Sequence, residues 1–232
     1  MPKQLNTFLN QSLYVLDSQL PKSLCDEIIS YFSDKDSTEG TTIDEQQLKG
    51  KQGQHIAHTS RTQRADEECL GNTPRAVNVK WAEPNDWVGP FMYQYIKQAN
   101  DCLFQYDIDG LYYNELHYLD YDKNHFYHWH NDTNETVFHA YEEPQHTSYL
   151  VAPTKEWVRK LSFTLQLSGE DEYEGGELDV CSIQSGEENV MTVPKKRGAM
   201  SIFDSRCKHR VRKVKKGRRK ALVGWAIGPR WK

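Results

Sequence analysis

The chain has 232 residues, a net charge of −4, 13 Tyr, 6 Trp and 12% aromatic content, and a mean hydropathy of −0.82, bulk enough for one domain with a real core. No run approaches the ~18 apolar residues of a membrane span, and MPKQLNTFLNQSLYVLDSQLP lacks the basic and then continuously apolar layout of a secretory leader, which excludes those two classes. The five cysteines, Cys25, Cys69, Cys102, Cys181 and Cys207, include no CxxC pair, so the expectation is neither a disulfide framework nor a thiolate zinc site but a reducing, cytoplasmic setting.

In chain order, residues 21–34 predict a helix. Pro21 suits a first turn, and Leu24, Ile28, Ile29 and Phe32 recur at helical spacing. Residues 36–75, rich in Gln, Thr, Gly, Asp and Lys, read as loop. Residues 76–84 allow a short strand, and 86–104 read as a second helix with Gly89-Pro90 as a break in its first turn. From residue 110 the pattern turns to strands, over 110–121, 125–132, 160–168, 177–183, 199–204 and 220–228.

The alternation in 160–168 is clean. Leu161, Phe163, Leu165 and Leu167 share one face; Ser162, Thr164, Gln166 and Ser168 share the other. Two layouts account for it: an apolar face on helices with a polar face lining a wet cavity, or an edge strand with a solvent face. Helices followed by short strands predict a mainly β fold with supporting helices, its core a double-stranded β-helix, or jelly roll. Residues 1–109 form the N-terminal helical support and loop region, and 110–232 the barrel core, together one structural domain.

Charge is uneven. Residues 206–220 hold ten Lys or Arg and no acid, which leaves 19 basic against 33 acidic residues elsewhere. Such a strip is either a nucleic-acid or acidic-peptide footprint or a hairpin with solvated lysines.

His130-Asn131-Asp132 is an HxD pair on or just after a strand, and its i, i+2 spacing puts both side chains on one face. A third ligand from a distant strand completes a two-histidine, one-carboxylate set, which with open positions suits non-haem Fe(II). His209, 79 residues downstream in FDSRCKHRV, is the leading third ligand. His117, His125, His128, His139 and His146 compete. His128, which shares strand parity with His130, is the most credible rival.

The surroundings of the HxD resemble the prolyl 4-hydroxylase-like branch of the Fe(II)/2-oxoglutarate-dependent dioxygenases. The run from Tyr121 through Tyr127 to His130 and Asp132 follows the family order, with Asn124 at the usual turn glycine. Gly175-Gly176-Glu177-Leu178 matches the family's GGxL, and Gly198 opens the segment that leads to His209. Arg219 stands ten residues beyond His209, and Trp225 six further on. The likeness covers roughly 110–229.

By resemblance, His130, Asp132 and His209 bind Fe(II). Arg219 anchors 2-oxoglutarate, with Tyr121, Thr164 and Gln166 as further cosubstrate contacts. Molecular oxygen is the co-oxidant, and ascorbate a candidate accessory. Gln166 stands where relatives often carry a cosubstrate-binding Tyr. The expected reaction is hydroxylation of a peptidyl side chain, prolyl first, in a protein or peptide partner, with release of succinate and carbon dioxide. The alternatives are the same chemistry on a small molecule or nucleic-acid base, with the base-repair RxNxTxR signature absent from 209–219, and a non-catalytic barrel. Residues 133–159, aromatic, acidic and long for a connection, are expected to cover the site as a lid.

Overall fold

The computed structural model describes residues 12–17, 20–39, 75–82, 86–132, 157–181 and 190–231, with backbone alone at 112–115. Most of the expected lid, 133–156, and most of the expected loop, 40–74, lie outside the described residues. The elements run β1 (Leu13–Leu16), α1 (Lys22–Ser33), β2 (Thr38–Glu39), β3 (Arg75–Ala76), β4 (Asn78–Trp81) and α2 (Val88–Ala99), which continues as a π-helical turn, Asn100–Phe104. The strands of the barrel follow: β5 (Gly110–Tyr121), β6 (Phe126–His130), β7 (Val158–Gln166), β8 (Tyr173–Gly175) and β9 (Leu178–Cys181). After them come β10 (Val190–Thr192), β11 (Met200–Asp204), β12 (His209–Val211), β13 (Val214–Gly217) and β14 (Arg219–Gly228).

Two antiparallel sheets face each other, as expected of a jelly roll. One has the order β1-β11-β7-β14-β5-β4-β2, the other β10-β9-β12-β6-β3; β8 and β13 form a separate ribbon. Both helices cover the outer face of the larger sheet. Ile28 and Phe32 of α1 and Met92 and Ile96 of α2 share one cluster with Leu161, Phe163 and Leu165, and Phe32 stacks on Tyr118 with ring centroids 5.1 Å apart. Each such fully buried side chain stabilises the fold by about 1.5–3 kcal/mol. Lys80 donates to the carbonyls of Phe32 and Ser33 at 2.7 and 2.8 Å, meeting acceptors that the last turn of α1 leaves open.

This layout decides between the two readings of β7. It is an interior strand, flanked by β11 and β14, so the edge-strand alternative falls. Its leucines and Phe163 meet the helices, and Ser162, Thr164 and Gln166 turn toward the second sheet. The inner layer is apolar around them, with Val79, Leu119 and Phe203 against Leu178, Val180 and Val211.

Two local expectations are corrected, and one departure from the family pattern is explained. Gly89-Pro90 does not break α2, because Pro90 lies in the first turn, where no intrahelical N–H is needed. The short strand allowed at 76–84 is present as β4, but β1, β2 and β3 were not foreseen: β1 pairs with β11 and β3 with β6, so the N-terminal part adds strands to both sheets. The turn at 122–124 works without its glycine because Asn124 takes φ +70°, a region that Asn tolerates better than most residues.

Four arginines of the basic strip are matched by acids. Arg206 pairs with Asp204 at 2.6 Å and Arg218 with Asp120 at 2.6 Å, while Arg210 and Arg212 converge on the fully buried Asp179 at 2.9 and 2.8 Å. Neither the footprint nor the plain solvated hairpin describes these four arginines. No helix among the described residues is long and apolar enough to cross a membrane.

Candidate active site

β6 and β12 lie side by side in the smaller sheet, with His209 paired opposite His130. The next pair along is Val211 with Tyr127, so β6 spends three steps where β12 spends two. That extra residue is a β-bulge, which re-aims side chains. Tyr127 and His130 therefore share the inner face, their rings stacked with centroids 3.6 Å apart. Phe126 and His128 contact each other at 4.7 Å, and Trp129 lies against Arg210 at 4.7 Å. Strand parity alone puts His128 beside His130; the bulge separates them.

The result is a three-residue cluster. One ligand atom from each of His130, Asp132 and His209 falls within 4.8 Å of the others. His130 Nε2 is 3.7 Å and His209 Nε2 3.4 Å from the Asp132 carboxylate. Each imidazole is held from behind by a backbone carbonyl. His130 Nδ1 lies 2.7 Å from the His128 oxygen, and His209 Nδ1 3.1 Å from that of Cys207. A carbonyl only accepts, so Nδ1 carries the proton in both rings and each Nε2 presents a lone pair to the centre.

Electrostatics agree with that arrangement. Burial, and next the His209 imidazole, push His130 down to about 3, so it is neutral near pH 7. Burial alone raises Asp132, but His209, His130, Arg159 and the Ser162 hydroxyl outweigh it and bring it to about 2. Two imidazoles with Nε2 turned to the centre and one carboxylate form a donor set suited to a divalent iron with open positions; the residues present fit that ion.

Asp132 is itself held. Ser162 Oγ donates to its Oδ2 at 2.6 Å and lies 3.0 Å from Ser205 Oγ, while the Asp132 N–H donates to the Ser205 carbonyl at 2.9 Å. Sequence reasoning did not single out Ser162 or Ser205, although Ser162 stands on the polar face of β7. Ser162→Ala removes one of the contacts that orient the carboxylate. Losses of this kind cost roughly 10–100-fold in metal affinity, and metal titration of the two proteins should read a shift of that order; equal affinities would remove Ser162 from the account.

Next to Ser162 on the same face, Thr164 and Gln166 line a narrow cavity that is partly open to solvent. Tyr173, Gly176, Leu178 and Arg219 share its wall. Arg219 is only 3% exposed, its guanidinium 5.2 Å from the centre of the Tyr121 ring, and among the described residues no carboxylate forms an ion pair with it. Thr164 Oγ1 is buried with no hydrogen-bond partner among the described residues. An unmatched cation and an orphaned hydroxyl facing one cavity suit a bound carboxylate.

The second glycine of the GGxL run is explained here. Gly176 has φ +63°, and a methyl group there would lie 3.0 Å from Val214 Cγ2, 3.1 Å from Tyr173 Cε2 and 3.2 Å from Arg219 Cδ. Its missing side chain lets Tyr173 and Arg219 approach each other. Of the other two candidate contacts, Gln166 lines the cavity and bonds to Tyr173, whereas Tyr121 is fully buried against Arg219 and does not line it. Tyr173 was missed in the sequence, although it stands two residues before Gly175.

Toward the other end of β14 the inner face becomes aromatic. Trp81 meets His117 at 4.0 Å, His117 meets Trp225 at 5.1 Å, and the Arg159 guanidinium lies 4.0 Å from the centre of the Trp225 ring. Trp225 pairs in register with Ser162, so this row begins beside the Asp132 support and ends at Trp81, 46% exposed.

Fold and site together define a jelly-roll protein with a two-histidine, one-carboxylate centre. Residues 116–227, the barrel strands from β5 to β14, match the 2OG-Fe(II) oxygenase superfamily. The chain is 42% identical over 65 residues to a PKHD-type hydroxylase of Prochlorococcus marinus (strain NATL2A) and 43% identical over 65 residues to one of Parvibaculum lavamentivorans. Each match spans 28% of this chain and 28% of the relative. Among solved structures, a Pseudomonas putida prolyl-4-hydroxylase superposes with a TM-score of 0.55 at 18% identity, covering 94% of both chains. A Trichoplax adhaerens prolyl hydroxylase in complex with a hypoxia inducible factor oxygen degradation domain peptide fragment superposes with a TM-score of 0.56 at 15% identity, covering 93% of this chain and 83% of that one. These likenesses establish the prolyl 4-hydroxylase-like fold.

Proposed function

We propose that the chain is an Fe(II)/2-oxoglutarate-dependent dioxygenase that hydroxylates a peptidyl side chain, prolyl first, with succinate and carbon dioxide as co-products. The observation that carries this reading is the adjacency of two donor sets on one barrel interior: the His130–Asp132–His209 cluster, and the cavity with the buried Arg219. Ser162, which bonds to Asp132, and Thr164, which lines the cavity, are alternate residues of β7, about 7 Å apart along the strand.

In this reading His130 Nε2, a carboxylate oxygen of Asp132 and His209 Nε2 hold the iron. Bound there, iron supplies the oxidation of an unactivated C–H bond, coupled to conversion of 2-oxoglutarate and dioxygen into succinate and carbon dioxide. The chain's own residues do the rest. Arg219 binds the far carboxylate of 2-oxoglutarate by a charge-assisted contact, and the Thr164 hydroxyl adds a donor. His128 and Cys207 carbonyls keep the imidazoles turned to the centre. Ser162 fixes the carboxylate.

The substrate side is the aromatic row. The exposed Trp81, backed by the buried His117, offers a flat face on which a prolyl ring of an extended peptide stacks. The likeness to a prolyl hydroxylase solved with a peptide supports the same substrate class. A cytoplasmic setting belongs to this reading; Cys25, Cys102, Cys181 and Cys207 form no disulfide among the described residues.

Succinate release tests the assignment. With Fe(II), 2-oxoglutarate and ascorbate, proline-containing peptides should raise succinate formation well above the substrate-free level, with a gain of one oxygen atom in the peptide. Stimulation by oligonucleotides or free small molecules alone would move the same chemistry to that substrate class. No succinate under any condition would leave a binding module.

A further inference from the structure

Tyr173 stands at the start of β8, 4% exposed, on the wall of the cavity that holds Arg219 and Thr164. Gln166 Nε2 donates to its phenolic oxygen at 3.1 Å. The same nitrogen lies 3.3 Å from the Ser168 carbonyl oxygen, which only accepts, so the NH2 end of the amide faces the phenol. Arg219, a donor only, lines the same wall. A phenolic oxygen that accepts the Gln166 hydrogen bond still has its own proton to give. Among the described residues no group accepts it.

We propose that Tyr173 is a second anchor for the distal carboxylate of 2-oxoglutarate, its O–H donating to the anion beside the Arg219 guanidinium. The inference rests on the cavity being the 2-oxoglutarate site. Three donors without acceptors converge there: Arg219, the Tyr173 hydroxyl and the orphaned Thr164 hydroxyl. A carboxylate has about four lone-pair positions to receive them. Leu178, Val193 and Pro194 form the apolar part of the wall, suited to a short methylene stem. Burial pushes the Tyr173 phenol up from its ordinary value despite Arg219, so the hydroxyl keeps the proton it is to donate. Gly176 serves the same arrangement, since any side chain there would press on both Tyr173 and Arg219.

The test is calorimetric titration of 2-oxoglutarate into Fe(II)-loaded protein without oxygen, repeated with pyruvate, a 2-oxoacid that has no distal carboxylate. Wild type, Tyr173→Phe and Arg219→Ala are compared, with thermal unfolding as a check on folding. Tyr173→Phe keeps the ring and loses only the donor, so 2-oxoglutarate should bind about 10-fold more weakly and pyruvate unchanged. Wild-type 2-oxoglutarate affinity in Tyr173→Phe, with weak binding in Arg219→Ala, overturns the role of Tyr173 and leaves the site reading standing. Unchanged 2-oxoglutarate binding in Arg219→Ala overturns the site reading itself, and the proposal with it. Equal losses for 2-oxoglutarate and pyruvate in Tyr173→Phe show a disturbed cavity in place of a lost anchor, and also overturn it.

Discussion

His130→Ala, Asp132→Ala and His209→Ala should each abolish iron binding and iron-dependent turnover while the protein remains folded. Each removes one of the three ligand atoms gathered within 4.8 Å, a larger loss than the roughly 10–100-fold cost of removing an outer partner of a ligand. Folding should survive because none of the three belongs to the apolar clusters that join the helices and sheets. Asp132→Asn is a useful companion, since it keeps the shape and the Ser162 contact and loses the charge. His128→Ala should retain iron, because the bulge in β6 turns that ring toward Phe126. Metal content after dialysis, with thermal unfolding alongside, reads all five variants. Iron retained by His130→Ala and lost by His128→Ala would show that the wrong member of the pair has been assigned to the metal.

Arg219→Ala should weaken apparent 2-oxoglutarate affinity by about 10- to 150-fold, the equivalent of about 1.5–3 kcal/mol for a hydrogen-bonded contact to a charged group. Iron binding should persist, because Arg219 lies at the cavity and not among the metal-facing atoms. Arg219→Lys should recover only part, since an ammonium cannot reproduce the planar fork of a guanidinium. The neighbours separate by strand parity. Arg218 is engaged with Asp120 at 2.6 Å, and Lys220 alternates with Arg219 along β14, so Arg218→Ala and Lys220→Ala should change the 2-oxoglutarate KM little. Succinate formation titrated with 2-oxoglutarate measures all four. A large defect in Arg218→Ala beside a normal Arg219→Ala would sink the assignment.

Much of this architecture is legible from residue pattern, and the exceptions have physical reasons. The alternation at 160–168 is visible because an interior strand between helices and a cavity needs apolar side chains on one face only. The order of β5, β6, β7 and β14 follows from β-formers bounded by turns. The three- and four-residue strands β8, β10, β12 and β13 leave almost no periodic signal, and β13 is mostly lysine and glycine. Their places come from pairing with distant partners. At the site, residues named from motif spacing (His130, Asp132, His209, Arg219 and Thr164) fall close together in space. His128 was placed by strand alternation, a local rule that a single extra residue in β6 overrides. Tyr173 and Ser162 depend on contacts across strands, Gln166 with Tyr173 and Ser162 with Asp132, which no local window of sequence contains.

The extra residue in β6 also makes the metal centre unequally tolerant of changes in chain length. Between Tyr127 and His130 the strand has one residue more than its partner requires. Deleting His128 or Trp129 would restore plain two-for-two pairing and still turn the imidazole of His130 inward opposite His209. Deleting Asn131, or one residue between Cys207 and His209, has no such slack to draw on and would turn a ligand out of the barrel. The centre thus has one elastic side and one rigid side, and length variation in a designed or natural variant can be absorbed only on the first.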